Sequence, residues 1–200
     1  MKKSIIIIFL FILGTSNILI KSKNTKVTYN KNEIISASYV IPEDLEELDE
    51  NAPIILKGSF TGNRKIDEDT NIVGPSTISE FKVDKVYKGS IENDIISVLE
   101  PFEIKDNNFT NIEGYIPMEE NKEYILFLRE NDISEGKQYT IKFISFGKYN
   151  TSKEDDIVNQ KSSIKYLEEV KDSEFISESQ EICDTYINIK GEVLDKYLYK

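Results

Sequence analysis

The chain contains one cysteine, Cys183, and no histidine among its 200 residues. A single cysteine cannot form an internal disulfide, and the common structural zinc sites draw on histidine or several cysteines. The fold must therefore be held together by its hydrophobic core. Hydrophobic residues make up 39% of the sequence, including ten phenylalanines and eleven tyrosines, so such a core is available. We accordingly expect neither a metal site nor a cofactor.

The N-terminus has the layout of a secretory signal. Lys2 and Lys3 precede the unbroken apolar run Ile5–Leu13, and small residues follow it. A retained anchor is the alternative, because residues 4–20 number 17 and so reach the lower limit of the roughly 17–25 residues that span a bilayer. The sequence predicts that residues 1–20 are a signal peptide or an N-terminal membrane anchor. The rest would then be extracellular, either secreted or anchored to the outer face of the cytoplasmic membrane.

The central part of the chain is typical of β-structure. A short amphipathic helix is predicted over 42–50, with Pro42 at its first position. Alternating or compact apolar runs then predict five strands, at Ile54–Phe60, Thr77–Tyr87, Ile95–Leu99, Glu123–Arg129 and Gln138–Phe146. The fourth strand is apolar enough to be buried on both faces. We expect its Ile125 and Phe127 to share one core with Val83.

The flanking regions predict the domain organisation. Residues 21–40 are polar and lysine-rich, which favours a tether, and residues 41–150 would form the β domain. Apolar residues at helical spacing in 151–200 predict a helical C-terminal appendage, with Gly191 interrupting its helices. The segment 101–117 carries no strong periodicity and is predicted to be a long loop.

Four motifs carry a resemblance to a known family. They are Ile-Ile-Leu-Lys-Gly at 54–58, Phe-x-Val-x-x-Val-Tyr-Lys-Gly at 81–89, Ile-x-Val at 96–98 and Glu-Tyr-Ile-Leu-Phe-Leu at 123–128. Over residues 52–147 the chain resembles the netrin-like OB barrel of tissue inhibitors of metalloproteinases and of many exported bacterial proteins. The resemblance implies a mainly β fold built on a five-stranded OB-like barrel. Protease inhibition is not implied, because those inhibitors use a disulfide-bonded cysteine at the mature N-terminus.

The catalytic inventory consists mostly of absences. Without histidine the chain has no Ser-His-Asp or Cys-His machinery, and no phosphate-binding glycine-rich loop is present. Glu100 precedes segment 101–117, and Glu103, Asp106 and Glu113 lie within it, which leaves a carboxylate-dependent hydrolase as an alternative. We expect no catalytic site. The net charge of −11 argues against nucleic acid as a partner.

The function predicted from these observations is a non-enzymatic binding or interaction module, exported from a bacterium or held at its surface. Its partner would be a protein, a peptide or an envelope polymer, with the membrane met only through the N-terminal segment. The candidate ligand contacts are Tyr87, Phe102, Phe109 and Tyr115. A structural or accessory envelope protein is the alternative. An exposed aromatic patch would favour binding, whereas burial of these rings would favour the structural role.

Overall fold

A computed structural model describes residues 26–35, 40–67, 74–133, 136–152, 158–159 and 164–199. The expected signal or anchor, residues 1–20, lies outside the described residues. Within the described ranges the chain is mainly β. No helix among these residues is both long and apolar enough to cross a membrane.

Strands and two helices make up most of the described ranges. In chain order they are β1 (Thr28–Ile35), α1 (Leu45–Asn51), β2 (Ile54–Ile66), β3 (Thr77–Lys88), β4 (Ile95–Glu100), β5 (Phe102–Lys105), β6 (Asn108–Ile112), β7 (Glu123–Ile133), β8 (Gly136–Ile141), β9 (Lys148–Asn150), β10 (Val158–Asn159), β11 (Phe175–Ile176) and α2 (Gln180–Tyr197). Short 3-10 helices occupy Ile144–Gly147 and Leu167–Glu169.

Five strands form a closed ring. The order is β2-β3-β4-β8-β7, and β7 pairs back onto β2. The pairing of β4 with β8 is parallel, while the other pairings around the ring are antiparallel. These are the five strands that the sequence predicts, although β2 continues to Ile66 and β8 ends at Ile141.

Two hydrophobic clusters lie on the two sides of β7. Tyr124, Leu126 and Leu128 join the cluster inside the ring. Ile125 and Phe127 face outward and pack against α1 and α2. The prediction that β7 is buried on both faces is therefore confirmed. The prediction that Val83 shares a core with Ile125 and Phe127 was wrong. Val83 packs against the interior cluster, whereas Ile125 and Phe127 belong to the outer one. The two clusters are separate because alternation along a strand sends neighbouring side chains to opposite faces.

A second sheet covers one end of the ring, in the order β1-β6-β5. It contradicts two expectations. Residues 28–35 of the predicted tether form β1, which pairs in parallel with β6. Most of segment 101–117 is not a loop but the β5–β6 hairpin, whose turn residues Asp106 and Asn107 have φ of 50° and 63°. Asp and Asn tolerate this left-handed conformation better than most residues.

The helices differ from prediction at their ends. Helix α1 begins at Leu45, not Pro42, because the Asp44 side chain accepts a hydrogen bond from the Glu47 amide at 2.9 Å and caps it. Helix α2 runs through Gly191 without interruption. This glycine is exposed. Its cost to helix stability is smaller than the stabilisation that the packed turns on either side supply. Phe175, expected in a helix, lies in β11.

Candidate functional site

A fully buried carboxylate lies at the end of β4. Glu100 has no exposed surface, and its Oε2 accepts hydrogen bonds from the Tyr115 hydroxyl and the Met118 amide, both at 2.8 Å. Its Oε1 accepts from the Ser79 hydroxyl and from Arg64 Nε, the latter at 3.2 Å. Four donors therefore satisfy both oxygens of this buried carboxylate. Burial and the adjacent Glu100 raise the pKa of Tyr115 well above its usual value.

Arg64 connects this buried carboxylate to the surface. It lies near the end of β2, and its side chain is 27% exposed. The guanidinium carbon lies 3.8 Å from the centroid of the Phe60 ring and 5.4 Å from that of Phe102. Its Nη2 donates to the Met118 carbonyl. These contacts hold the guanidinium in one orientation, and no described residue accepts a hydrogen bond from its Nη1.

The guanidinium opens onto a cleft of about 460 Å³. The cleft is lined by Phe60, Gly62, Arg64, Ile104, Ile116, Pro117, Met118, Glu119, Glu120, Leu167 and Lys171. Six of these eleven residues have apolar side chains and four are charged, so the cleft is bordered by both kinds of group. Gly62 has φ of +94°, and a Cβ there would lie 3.1 Å from the Glu120 carboxyl carbon. Because Gly62 has no side chain, the Glu120 carboxylate fits at the edge of the cleft.

The cleft wall at 116–118 is held from behind by a buried lysine. Lys148 Nζ donates to the Ile116 carbonyl at 2.5 Å and lies 4.6 Å from the Tyr115 ring centroid. Burial lowers the pKa of Lys148 to about 8, although Glu100 and Glu174 oppose this by attracting the charged form. Because Lys148 fixes Ile116 and Arg64 fixes Met118, both ends of this short segment are restrained.

A second buried ion pair supports the same region. Glu174 pairs with Lys190, accepts a hydrogen bond from the Asn150 amide at 2.6 Å and accepts one from the Tyr186 hydroxyl at 3.1 Å. Lys190 and Tyr186 belong to α2, whereas Asn150 belongs to β9. The buried pair thus joins the C-terminal helix to the ring.

The predicted aromatic contacts do not form a surface patch. Phe102, Phe109 and Tyr115, which are candidate contacts in the sequence, are buried in the interior cluster and offer no surface to a ligand. Alternation in the β5–β6 hairpin turns both phenylalanines inward, and Tyr115 follows to bond Glu100. Tyr87 lies elsewhere, half-buried against Tyr197, whose carbonyl accepts its hydroxyl hydrogen bond at 2.6 Å.

Sequence reasoning missed Arg64. The predicted first strand ends at Phe60, so Arg64 falls outside every predicted element. One signal was available: Phe60, Gly62 and Arg64 are spaced by two, the period of a strand. Segment 101–117 does contribute to the cleft, but through Ile104, Ile116 and Pro117.

Comparison with known proteins adds no relative. No protein-family model matches the chain, and no curated protein matches it. Within the ranges that the structure describes, no group of three or more Cys, Asp or Glu residues has the geometry to hold a metal ion.

Proposed function

We propose that the chain is an exported, non-enzymatic binding module built on an OB-type barrel. When the five ring strands are numbered in chain order, they lie around the ring as first, second, third, fifth and fourth. The third and fifth strands are parallel. This Greek-key closure supports an OB-type barrel of the netrin-like kind. Barrels of this class commonly bind ligands at one face and its adjacent loops.

The cleft beside Arg64 is the proposed binding site. The observation that carries this proposal is a guanidinium that lines the cleft and is held in place by Glu100, Phe60 and the Met118 carbonyl, while its Nη1 has no hydrogen-bond partner among the described residues. An immobilised donor of this kind binds a ligand without first losing side-chain freedom. Glu100 acts as the support for Arg64, since its oxygens are occupied and buried. A hydrolytic role for it is therefore disfavoured.

Filling the cleft tests the proposal. Ile104 lines the cleft and is 36% exposed, whereas Ile95 lies on β4 away from it and is 53% exposed. Ile104→Trp should abolish recovery of envelope components by the immobilised full chain, and the matched Ile95→Trp should not. Equal recovery by both variants and the wild type would place binding elsewhere.

Export is tested separately. Aspartates at Ile7 and Phe9 should keep the protein inside the cell, since each charge costs about 2.5–3.5 kcal/mol at the centre of a membrane helix. Cell fractionation measures this. Normal export of the double variant would remove the basis for an envelope function.

A structural or accessory envelope protein is the second candidate. It is favoured by the burial of Phe102, Phe109 and Tyr115, since the aromatic residues of segment 101–117 stabilise the core and are not offered to a ligand. On this proposal the Ile104→Trp variant would keep full function in cells. The two candidates therefore differ in whether the cleft must stay open.

A further inference from the structure

The terminal edge of Arg64 determines which chemical group the cleft can bind, an inference that rests on the proposed function. Arg64 has five N–H donors in a planar fork. Nε donates to Ser79 and Glu100, and Nη2 donates to Met118. The terminal edge of the guanidinium carries Nη1, which has no hydrogen-bond partner among the described residues, and Arg64 lines the cleft. This edge matches the two oxygens of a carboxylate, which arginine binds through two parallel hydrogen bonds.

The charges around the cleft disfavour anions that carry more than one negative charge. Glu100 lies behind the guanidinium and already offsets its charge. Glu119 is paired with Lys122 at 3.0 Å, and Glu120 lies at the cleft edge beside Gly62. A phosphate dianion or a polyanion would be repelled by these acids. A monoanion at Arg64, with Lys171 as a second cation in the lining, meets less repulsion.

The rest of the ligand must be apolar. Ile104, which is exposed, and Leu167, which is half-buried, supply the accessible apolar surface of the lining, because Phe60, Ile116 and Met118 are buried. A polar body would lose its hydration against these side chains without gaining hydrogen bonds. A branched aliphatic group next to the carboxylate would bury apolar surface instead.

We propose that the cleft binds a carboxylate carried on an apolar body, with the carboxylate on the terminal edge of Arg64. Two sources offer this group: the C-terminus of a peptide that ends in an apolar residue, and a small free organic acid. The shared chemistry is an aliphatic monocarboxylate, and a matched set of probes separates the two sources.

Four probes test the ligand class. Gly-Gly-Leu and 4-methylpentanoate carry the carboxylate. The other two probes are the amides of these acids, in which a neutral amide group replaces the carboxylate. Each is titrated into the ¹⁵N-labelled full chain, with the Met118 amide signal as the reporter. We expect each acid that binds to do so at least about tenfold more tightly than its amide, because charge-assisted hydrogen bonds are about twice as strong as neutral ones. Tighter binding by the tripeptide assigns a peptide source, and tighter binding by 4-methylpentanoate assigns a free acid. Equal affinity for acid and amide would overturn the proposal.

Matched variants locate the carboxylate without disturbing Arg64. Ile104→Glu puts a negative charge into the cleft, and Ile95→Glu adds the same charge outside it. Binding of the acid should fall by about tenfold or more in the first variant and stay unchanged in the second, because like charges in contact repel. Equal loss in both variants would show a general charge effect and overturn the assignment.

The two experiments together separate the ligand class from the proposed function. If no acid binds, but Ile104→Trp still abolishes capture of envelope components, the cleft is a binding site and its ligand class is wrong. If Ile104→Trp also leaves capture unchanged, the proposed function fails as well.

Discussion

Replacing Glu100 by glutamine tests the buried network beneath the cleft. The substitution keeps the size of the side chain and replaces one oxygen by an NH₂ group. If the NH₂ group takes the place of Oε1 it faces Arg64 Nε–H, and if it takes the place of Oε2 it faces the Met118 N–H. Either orientation sets a donor against a donor in a site with no exposed surface. The arginine also loses its counter-ion.

The expected loss of stability is about 2–4 kcal/mol, since an unsatisfied buried donor costs about 1–3 kcal/mol and breaking a buried ion pair adds to it. The partial exposure of Arg64 keeps the loss below the full cost of a buried pair. Urea unfolding measures the free energy of unfolding. The control is Glu103→Gln, at a half-buried position on β5. Its free energy of unfolding should stay within about 0.5 kcal/mol of the wild-type value. A change that small for Glu100→Gln would refute the network of donors around this carboxylate.

Three further substitutions and one pH profile follow from the packing and the charges. Gly191→Ala should stabilise the protein by about 0.5–1 kcal/mol in urea unfolding, because the glycine is inside a helix and a Cβ there meets nothing within 4 Å. Gly114→Ala should cost more than about 2 kcal/mol, because its φ is +73° and the Cβ would overlap the Ile176 carbonyl. Phe127→Ala should cost about 3–5 kcal/mol, since the ring is fully buried; a loss below about 1 kcal/mol would show that β7 is peripheral. The pKa of Lys148 in the folded protein is lowered to about 8, below its value in the unfolded chain. Above pH 8 the unfolded state therefore binds more protons than the folded state. The free energy of unfolding should rise by about 2 kcal/mol from pH 7 to 10. Above pH 10 the raised pKa values of the buried tyrosines reverse this trend, and Lys148→Met should abolish the rise; an unchanged pH profile in that variant would contradict the assignment.

The five ring strands could be predicted from sequence because each is a local pattern. The runs 54–60 and 123–129 each bury five of their seven residues, so the signal lies within a few neighbouring positions. Strand β1 has no such pattern. Among the β1 residues whose side chains the structure describes, Tyr29 alone is buried. The pairing of β1 with β6 joins segments about 80 residues apart. Only tertiary contact makes it a strand.

The β5–β6 hairpin was missed although the sequence carried a sign of it. Asp106 and Asn107 are residues that favour the left-handed turn, and Ile104 and Phe109 flank them at strand spacing. The cleft itself was beyond sequence reasoning, because its wall at 116–118 is positioned by Arg64 and Lys148, each of which reaches it from a distant strand.

The C-terminal helix belongs to the same structural unit as the ring and the cleft. The Tyr186 hydroxyl donates to the Lys148 carbonyl at 2.7 Å, and its ring stacks on Tyr149 with centroids 5.1 Å apart. Lys148 in turn donates to the Ile116 carbonyl in the cleft wall. A boundary at residue 150 would therefore cut through a packed cluster. Because α2 holds the strand that carries Lys148, changes in the packing of α2 should reach the cleft through that lysine.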